Sequence, residues 1–180
     1  MLYKDVLIAG FGGQGVLLSG KLLAWAGMLC GKHVTWFPSY GAEMRGGTAN
    51  CTVIISDDEI GSPVVDKPGA LIAMNPASAE KFLGRVPKGG VIILNSSLIK
   101  EEVKRPGVKV IKIPANELAV GLGNIRAANM VMLGAYLRFC EGVSIKSIEK
   151  ALKESLPQRN QHLIPVNMEA LQKGFNLAGQ

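Results

Sequence analysis

The segment KDVLIAGFGGQGVLLSGK, residues 4–21, restricts the fold most, because an apolar run closed by glycines leads directly into a second apolar run. The first run is short and aliphatic, which predicts a buried strand. The segment QGVLLSGKLLAWAGMLCGK then places apolar residues nearly all round a helix of roughly four or five turns, as in a helix that packs on a sheet and on a neighbour. A strand, a glycine turn and a helix are therefore predicted at the start of an α/β fold.

The same alternation of apolar strands and helices continues along the chain. Strands are predicted in HVTWFPSY, where Pro38 is expected to end the strand, and in TANCTVIIS, GALIAMN, GGVIILNSS and VKVIKIP. A helix is predicted in PASAEKFLGRV, and further helices from PANELAV to the end. This pattern predicts the α/β class: a mostly parallel sheet with helices on both faces, a Rossmann-like start and a helical C-terminal part. Because the chain has 180 residues and no internal repeat, we expect a single domain over residues 1–180.

Composition and charge narrow the classes of partner. The apolar share of 48% favours a chain that buries surface against partners, although an α/β domain rich in buried strands has the same composition. The net charge of +6 is scattered, and no basic block alternates with aromatic residues. We therefore expect no nucleic acid, and an acidic protein or a phosphorylated ligand suits the charge better. No run of about 18 apolar residues is present, so no membrane is expected either.

The cysteines and histidines are too dispersed for a metal site. Cys30, Cys51 and Cys140 are far apart and form no C-x-x-C motif, which predicts reduced thiols in a cytoplasmic protein rather than a four-thiolate iron–sulfur cluster. His33 and His162 are isolated and give no metal-ligand spacing. The expectation is that this chain holds no metal and no catalytic residue.

Two nucleotide-binding motifs are nearly present at the glycine turn, and neither is intact. GFGGQG has the spacing of a dinucleotide-binding turn, but the second strand, VTWFPSY, lacks the acidic residue that holds the ribose. GVLLSGK is followed by Leu22, where a P-loop has Ser or Thr. The glycines still allow close approach of another group, and they leave the first N–H groups of the helix open to an anion or to a partner's backbone. A tight connection without a ligand is the alternative.

A second loop, SYGAEMRGGTAN, places Tyr40, Glu43 and Arg45 among glycines. One aromatic ring, one carboxylate and one guanidinium in a flexible loop are typical of a recognition surface, and Arg45 is suited to bind phosphate or carboxylate. The alternative is an internal pair of Glu43 and Arg45 in a solvated turn. Two asparagines are predicted to be structural: Asn75 as a helix cap, and Asn129 as a hydrogen-bond partner of a neighbouring backbone.

Four segments together resemble the gamma subunits of 2-oxoacid:ferredoxin oxidoreductases, and most of all the gamma subunit of the 2-oxoglutarate enzyme: IAGFGGQGV, SYGAEMRGGTANC, GSPVVDKPGALIAMN and NMVMLGAYL. The resemblance covers residues 4–140 and weakens in the last helices. Enzymes of this family oxidatively decarboxylate a 2-oxoacid to an acyl-CoA and reduce ferredoxin. The resemblance implies a gamma chain that supports assembly, covers the active site, helps to receive coenzyme A and is inactive alone.

The resemblance also implies cofactors and partners. The complex is expected to use thiamine diphosphate, Mg, iron–sulfur clusters and coenzyme A, with none of them bound by this chain alone. The expected partners are alpha and beta subunits, a ferredoxin-like delta subunit and, for the whole complex, ferredoxin; the isolated chain could also form a homodimer. The alternatives are a gamma-type subunit of an indolepyruvate, pyruvate or branched-chain 2-oxoacid enzyme, a stand-alone nucleotide-binding α/β protein, and a scaffold without ligand contact.

The glycine turn and the second loop supply the residues that the resemblance places against coenzyme A and the catalytic subunits. These residues are Gly12, Gly13, Gln14, Gly15, Tyr40, Glu43, Arg45, Gly46 and Gly47. Their glycines allow close approach, and their polar groups are suited to bind an anion.

Overall fold

The structure is a computed structural model that describes residues 1–40 and 48–179. Its strands are β1 Tyr3–Phe11, β2 His33–Tyr40, β3 Thr48–Ser56, β4 Ala70–Ala73, β5 Val91–Asn95 and β6 Lys109–Ile113. Its helices are α1 Val16–Leu29, α2 Pro76–Phe82, α3 Ala115–Gly121, α4 Ala128–Leu137, α5 Ile145–Ser155 and α6 Ile164–Leu177. Short 3-10 turns cover Leu83–Arg85, Ile125–Ala127 and Gln158–Leu163.

The strands form one sheet in the order β2-β3-β1-β4-β5-β6. The pairs β1–β4, β4–β5 and β5–β6 are parallel, whereas β3 runs antiparallel to both β1 and β2. The predicted α/β class with a mostly parallel sheet and a helical C-terminal part is therefore confirmed, and the antiparallel pairs are confined to one side of the sheet.

The prediction that Pro38 ends its strand is wrong. Strand β2 continues to Tyr40, and Pro38 is paired with Cys51 of β3. Because β2 is the outermost strand, it has a neighbour on one side only. Proline is tolerated at such an edge, since its missing N–H need not leave a ladder hydrogen bond unmade.

The central strand β1 is buried on both faces, which explains its unbroken apolar run. Val6 and Ile8 point into the larger core, which also takes apolar side chains from α1, α4, α5 and α6. Leu7 and Ala9 point into a smaller core, where α2 contributes Phe82. Helices thus cover both faces of the sheet, as predicted.

Helices α4 and α6 cross at two glycines. A Cβ atom added to Gly134 would overlap the carbonyl oxygen of Leu171, and one added to Gly174 would overlap the carbonyl oxygen of Val131. The two backbones are therefore in direct contact at the crossing, and no side chain could fit between them.

Across residues 1–40 and 48–179, no helix is long and apolar enough to cross a membrane. The longest helices, α1 and α6, have 14 residues each.

Candidate functional site

The parallel strands β1, β4, β5 and β6 all end at one edge of the sheet, where ligands of α/β proteins commonly bind. The glycine turn, residues 12–15, connects the end of β1 to α1 at this edge. Gly13 and Gly15 have φ values of +102° and +75°, a conformation that favours glycine. Gly15 also caps α1 without a side-chain hydrogen bond, and no acidic residue lies in the first turn of the helix. The N-terminal N–H groups of α1 are therefore not served by a local side-chain acceptor.

The side chain of Gln14 turns inward and holds the glycine turn against the end of β4. Its Oε1 accepts hydrogen bonds from the backbone N–H of Phe11, at 3.0 Å, and from Nδ2 of Asn75, at 3.1 Å. Its Nε2 donates to the carbonyl oxygen of Met74 at 3.3 Å. These bonds use both acceptor sites of the amide oxygen, so Gln14 fixes the shape of the turn.

A series of asparagine amides extends this network along the ends of the strands. Asn75 caps α2, as predicted, because its Oδ1 accepts the N–H of Ser78 at 2.8 Å. The fully buried Asn95 donates through Nδ2 to the carbonyl oxygen of Met74 at 3.2 Å and to Oδ1 of Asn116 at 2.9 Å. The ends of β4, β5 and β6 are thus tied to the turn that follows β1.

Asn129 of α4 contacts the glycine turn from the helical side. Its Nδ2 donates to the carbonyl oxygen of Gly15 at 3.2 Å, which confirms the prediction that Asn129 satisfies a neighbouring backbone group. A Cβ atom on Gly15 would overlap this amide. Gly15 is therefore required for its φ and for the space that Asn129 occupies.

Two cavities adjoin the glycine turn. The outer groove, of about 610 Å³, lies between the turn, α1 and the start of α6. The inner pocket, of about 270 Å³, lies between the turn and the ends of β4 and β6. The outer groove combines apolar and amide side chains: Leu18, Leu122, Leu163, Val166, Asn124, Asn129 and Asn167. The inner pocket is lined by Phe11, Gln14, Met74, Leu98, Asn116 and Ile125 among others.

Arg126 lines both cavities, and so does Gly13. The Arg126 side chain is exposed, and no carboxylate of the described residues lies within 4.0 Å of it. A guanidinium without a carboxylate partner among the described residues, close to the N-terminus of α1, makes this place favourable for an anion, since the guanidinium and the helix N-terminus both carry positive charge. Sequence reasoning missed Arg126, although GLGNIRAAN places this arginine shortly after two glycines.

The second loop is described only at its ends. Glu43, Arg45, Gly46 and Gly47 lie outside the described residues, as does the side chain of Tyr40. The end of β2 and the start of β3, which flank this loop, lie beside the end of β1 that leads into the glycine turn. The backbone of Tyr40 in β2 pairs with that of Ala49 in β3, and Thr48 of β3 pairs with Phe11 of β1.

The described side chains at this edge include neither a cluster of metal ligands nor an activated thiol. Where the structure describes side chains, no three His, Cys, Asp or Glu residues come together as metal ligands. Cys51 lies under α1, with its Sγ 3.6 Å from the carbonyl oxygen of Val16, and burial raises the pKa of its thiol to about 12. A thiol with so high a pKa remains protonated and is a poor nucleophile.

Comparisons of this chain with family models and with individual proteins agree on one family. Residues 5–177 match the family model described as pyruvate ferredoxin/flavodoxin oxidoreductase. The chain is 38% identical over 174 residues to the ketoisovalerate oxidoreductase subunit VorA of Methanothermobacter marburgensis, covering 96% of this chain and 36% of that protein. It is 36% identical over 179 residues to the 2-oxoglutarate synthase subunit KorC of Methanocaldococcus jannaschii, covering 97% and 94%. The chain thus spans about a third of the first of these relatives and nearly all of the second.

Solved structures share the fold. The gamma subunit of a keto/oxoacid ferredoxin oxidoreductase from Geobacter sulfurreducens superposes with a TM-score of 0.82 at 29% identity, covering 97% of this chain and 98% of that one. The 2-oxoglutarate:ferredoxin oxidoreductase of Magnetococcus marinus, with 2-oxoglutarate, coenzyme A and succinyl-CoA bound, gives a TM-score of 0.90 at 25% identity, covering 99% of this chain and 31% of that one.

Proposed function

Because this chain belongs to the pyruvate ferredoxin/flavodoxin oxidoreductase family, we propose that it is the gamma component of a 2-oxoacid:ferredoxin oxidoreductase. The similarity over nearly the full length of both KorC and the Geobacter gamma subunit supports this assignment. The complex would decarboxylate a 2-oxoacid to an acyl-CoA and pass the electrons to ferredoxin in the cytoplasm. Alpha, beta and ferredoxin-like delta subunits would hold thiamine diphosphate, Mg and the iron–sulfur clusters, and this chain, as a single domain over residues 1–180, would be inactive alone.

The substrate that we propose is 2-oxoglutarate. The similarity to KorC supports it, since that relative is matched over 94% of its length. Ketoisovalerate is the second candidate, because the relative named for it is 38% identical to this chain. The edge described above offers amides and one guanidinium, which do not distinguish between the two acids.

The role that we propose for this edge is to receive the phosphate groups of coenzyme A beside the catalytic subunits. One observation carries the proposal: Arg126 lines both cavities together with Gly13 of the glycine turn, and no described carboxylate lies within 4.0 Å of its guanidinium. Arg126 and the first N–H groups of α1 would bind a phosphate together. Among the described residues, nothing beyond its chain neighbours lies within 4 Å of a Cβ built on Gly13, so a ligand could reach the backbone there.

The outer groove suits the remainder of the same ligand. Its leucine and valine side chains match an apolar chain, and Asn124 and Asn167 match the amide groups of a pantetheine arm. Gly12, Gly13 and Gly15 would line the ligand, while Gln14 would keep the turn in shape. In this proposal the second loop completes the surface with Tyr40, Glu43, Arg45, Gly46 and Gly47.

The test is steady-state kinetics on the complex purified with this chain, after native mass spectrometry has identified its partners. Arg126→Ala should raise the KM for coenzyme A about tenfold, the value of one charge-assisted hydrogen bond. The KM for the 2-oxoacid and the subunit composition should not change. Lys150→Ala, which removes an exposed charge from α5, is the control. An unchanged KM for coenzyme A in Arg126→Ala would refute the role of this edge, and a chain that purifies without partners would refute the assignment as a subunit.

A further inference from the structure

A separate cavity of about 350 Å³ lies at the opposite edge of the sheet, where β1, β4 and β5 begin. It is lined by Tyr3 and Asp5 of β1, by the segment 87–91 before and at the start of β5, and by Tyr136 and Phe139 at the end of α4. Strand β1 separates it from the glycine turn by roughly 26 Å, since its nine residues rise by about 3.3 Å each. The volume is near the lower limit of about 300 Å³ for ligand pockets, which favours a small ligand.

The carboxyl group of Asp5 is half-buried in this cavity. Its Oδ1 accepts the backbone N–H of Gly69. Among residues 1–40 and 48–179, no Lys, Arg or His nitrogen lies within 4.0 Å of it. Burial raises the pKa of Asp5, which is the expected consequence when the charged form is incompletely compensated. A protonated amine from outside would supply the missing charge.

Three aromatic residues, Tyr3, Tyr136 and Phe139, line the same cavity as this carboxyl group. Tyr3 and Asp5 are two residues apart on β1, so they lie on the same face of the sheet, and both line the cavity. Burial, and to a smaller extent the charge of Asp5, raises the pKa of Tyr3. Tyr136 is fully buried, and the ring of Phe139 already carries the ammonium group of Lys109 at 4.8 Å from its centroid. Aromatic faces beside a carboxylate are a common arrangement for binding an ammonium group, and they also pack against an apolar side chain.

The rim of the cavity carries lysine side chains, whose positive charge is opposite to that of the Asp5 carboxylate. Lys4 lies 3.9 Å from the carboxylate of Glu141, so it already has a partner. Lys88 is exposed, and no carboxylate of the described residues lies within 4.0 Å of its ammonium group. A ligand that reaches both Asp5 and Lys88 therefore needs an amine and an anion.

We propose that this cavity binds a free α-amino acid with an apolar side chain. The ammonium group of the ligand would pair with Asp5, its carboxylate would pair with Lys88, and its side chain would pack against Tyr3 and Phe139. The site is distinct from the edge proposed for coenzyme A, so either assignment could fail without the other.

Calorimetric titration of the full chain with L-leucine tests the proposal, with N-acetyl-L-leucine and L-leucinamide as analogues that lack one charge each. L-Leucine should bind and N-acetyl-L-leucine should not, because the latter has no ammonium group. Asp5→Asn, which keeps an acceptor for Gly69, should weaken binding of both leucine and leucinamide by about tenfold. Lys88→Gln should weaken binding of leucine by a similar factor and leave leucinamide unchanged. Lys150→Gln, at a position on α5 that does not line the cavity, should alter neither.

Three results would overturn the proposal. The first is that leucine at millimolar concentration gives no heat of binding. This result would overturn the proposal even if another ligand, such as the nucleotide AMP, binds in the cavity. The second is equal binding of leucine by Asp5→Asn and the unchanged chain. The third is tighter binding of leucinamide by Lys88→Gln, which would mean that Lys88 itself pairs with Asp5. Lys88 is on the surface, so its variant should fold and the test remains decisive even where Asp5→Asn fails to fold.

Discussion

Two groups of glycines have opposite surroundings in this protein. At the crossing of α4 and α6, the space beside Gly134 and Gly174 is filled by the backbone of the other helix. In the glycine turn, by contrast, no described residue apart from its own chain neighbours comes within 4 Å of a Cβ built on Gly13. The first group is explained by packing within the chain. The second leaves backbone accessible from outside, which is the property that a binding surface requires.

Gly15 stands between these two cases. It has a positive φ of +75°, like Gly13, and its missing side chain makes room for Asn129, much as Gly134 makes room for Leu171. It therefore joins the turn to the helical layer, and its substitution should have an intermediate effect.

Gly134→Ala should lower the free energy of unfolding by about 3 kcal/mol or more, because the methyl group overlaps rigid backbone and the two helices must separate. Gly174→Ala should do the same from the other side. Urea unfolding of the two variants measures the effect. A loss below about 1 kcal/mol would show that the crossing adjusts easily, and the contrast with the turn would then disappear.

Gly15→Ala should lower the free energy of unfolding by about 2 kcal/mol, through the strain of a positive φ and the overlap with Asn129. Because the overlap involves a side chain, Asn129→Ala should relieve part of it. The double variant Gly15→Ala/Asn129→Ala should therefore lose less stability than the sum of the single variants. Strict additivity in a double-mutant cycle would mean that Asn129 does not limit this position.

Gly13→Ala should lower the free energy of unfolding by only about 1 kcal/mol, from strain at φ +102° without any overlap. Gly31 is a matched control, since its φ is +72°, no described residue beyond its chain neighbours lies within 4 Å of its added Cβ, and it is at the other end of α1. Both variants should lose similar stability, but only Gly13→Ala should raise the KM for coenzyme A in the complex. An equal KM in the two variants would mean that the open space at Gly13 is not used by that ligand.

Gly121→Ala should have the smallest effect, and of opposite sign. Gly121 is the last residue of α3, it is exposed, its φ is not positive, and nothing lies within 4 Å of its added Cβ. Alanine there should raise the free energy of unfolding by about 0.5 kcal/mol, because it restricts the unfolded chain and favours the helix. A loss of stability would indicate a contact that the surroundings of Gly121 do not reveal.

Much of the fold follows from local patterns in the sequence. The apolar runs predict the strands of the sheet, because a strand buried on both faces has no polar alternation, as β1 demonstrates with Val6 and Leu7 in different cores. The prediction that Pro38 ends its strand was wrong, because the effect of proline on a strand depends on the position of that strand in the sheet. Asn75 was predictable because capping is a local interaction with Ser78.

The candidate site was less predictable, because its contacts join distant parts of the chain. The glycine turn is evident in the sequence, but the inward orientation of Gln14 depends on Asn75 and Met74. Arg126 belongs to a different segment, and only the packing of the helical layer brings it to Gly13. In the sequence, Gly134 and Gly174 likewise look like ordinary residues of apolar helices. Their role is evident only from the crossing of α4 and α6 in the tertiary structure.

By itself, the sequence determined the elements, the α/β class and the conformation of the glycine turn, because each depends on the periodicity of a few neighbouring residues or on the steric freedom of one of them. The tertiary structure alone decided which glycines are packed and which are open, and which cation faces the turn. The physical reason is that a missing Cβ has no meaning until the atoms that occupy its space are known, and those atoms belong to residues far away along the chain.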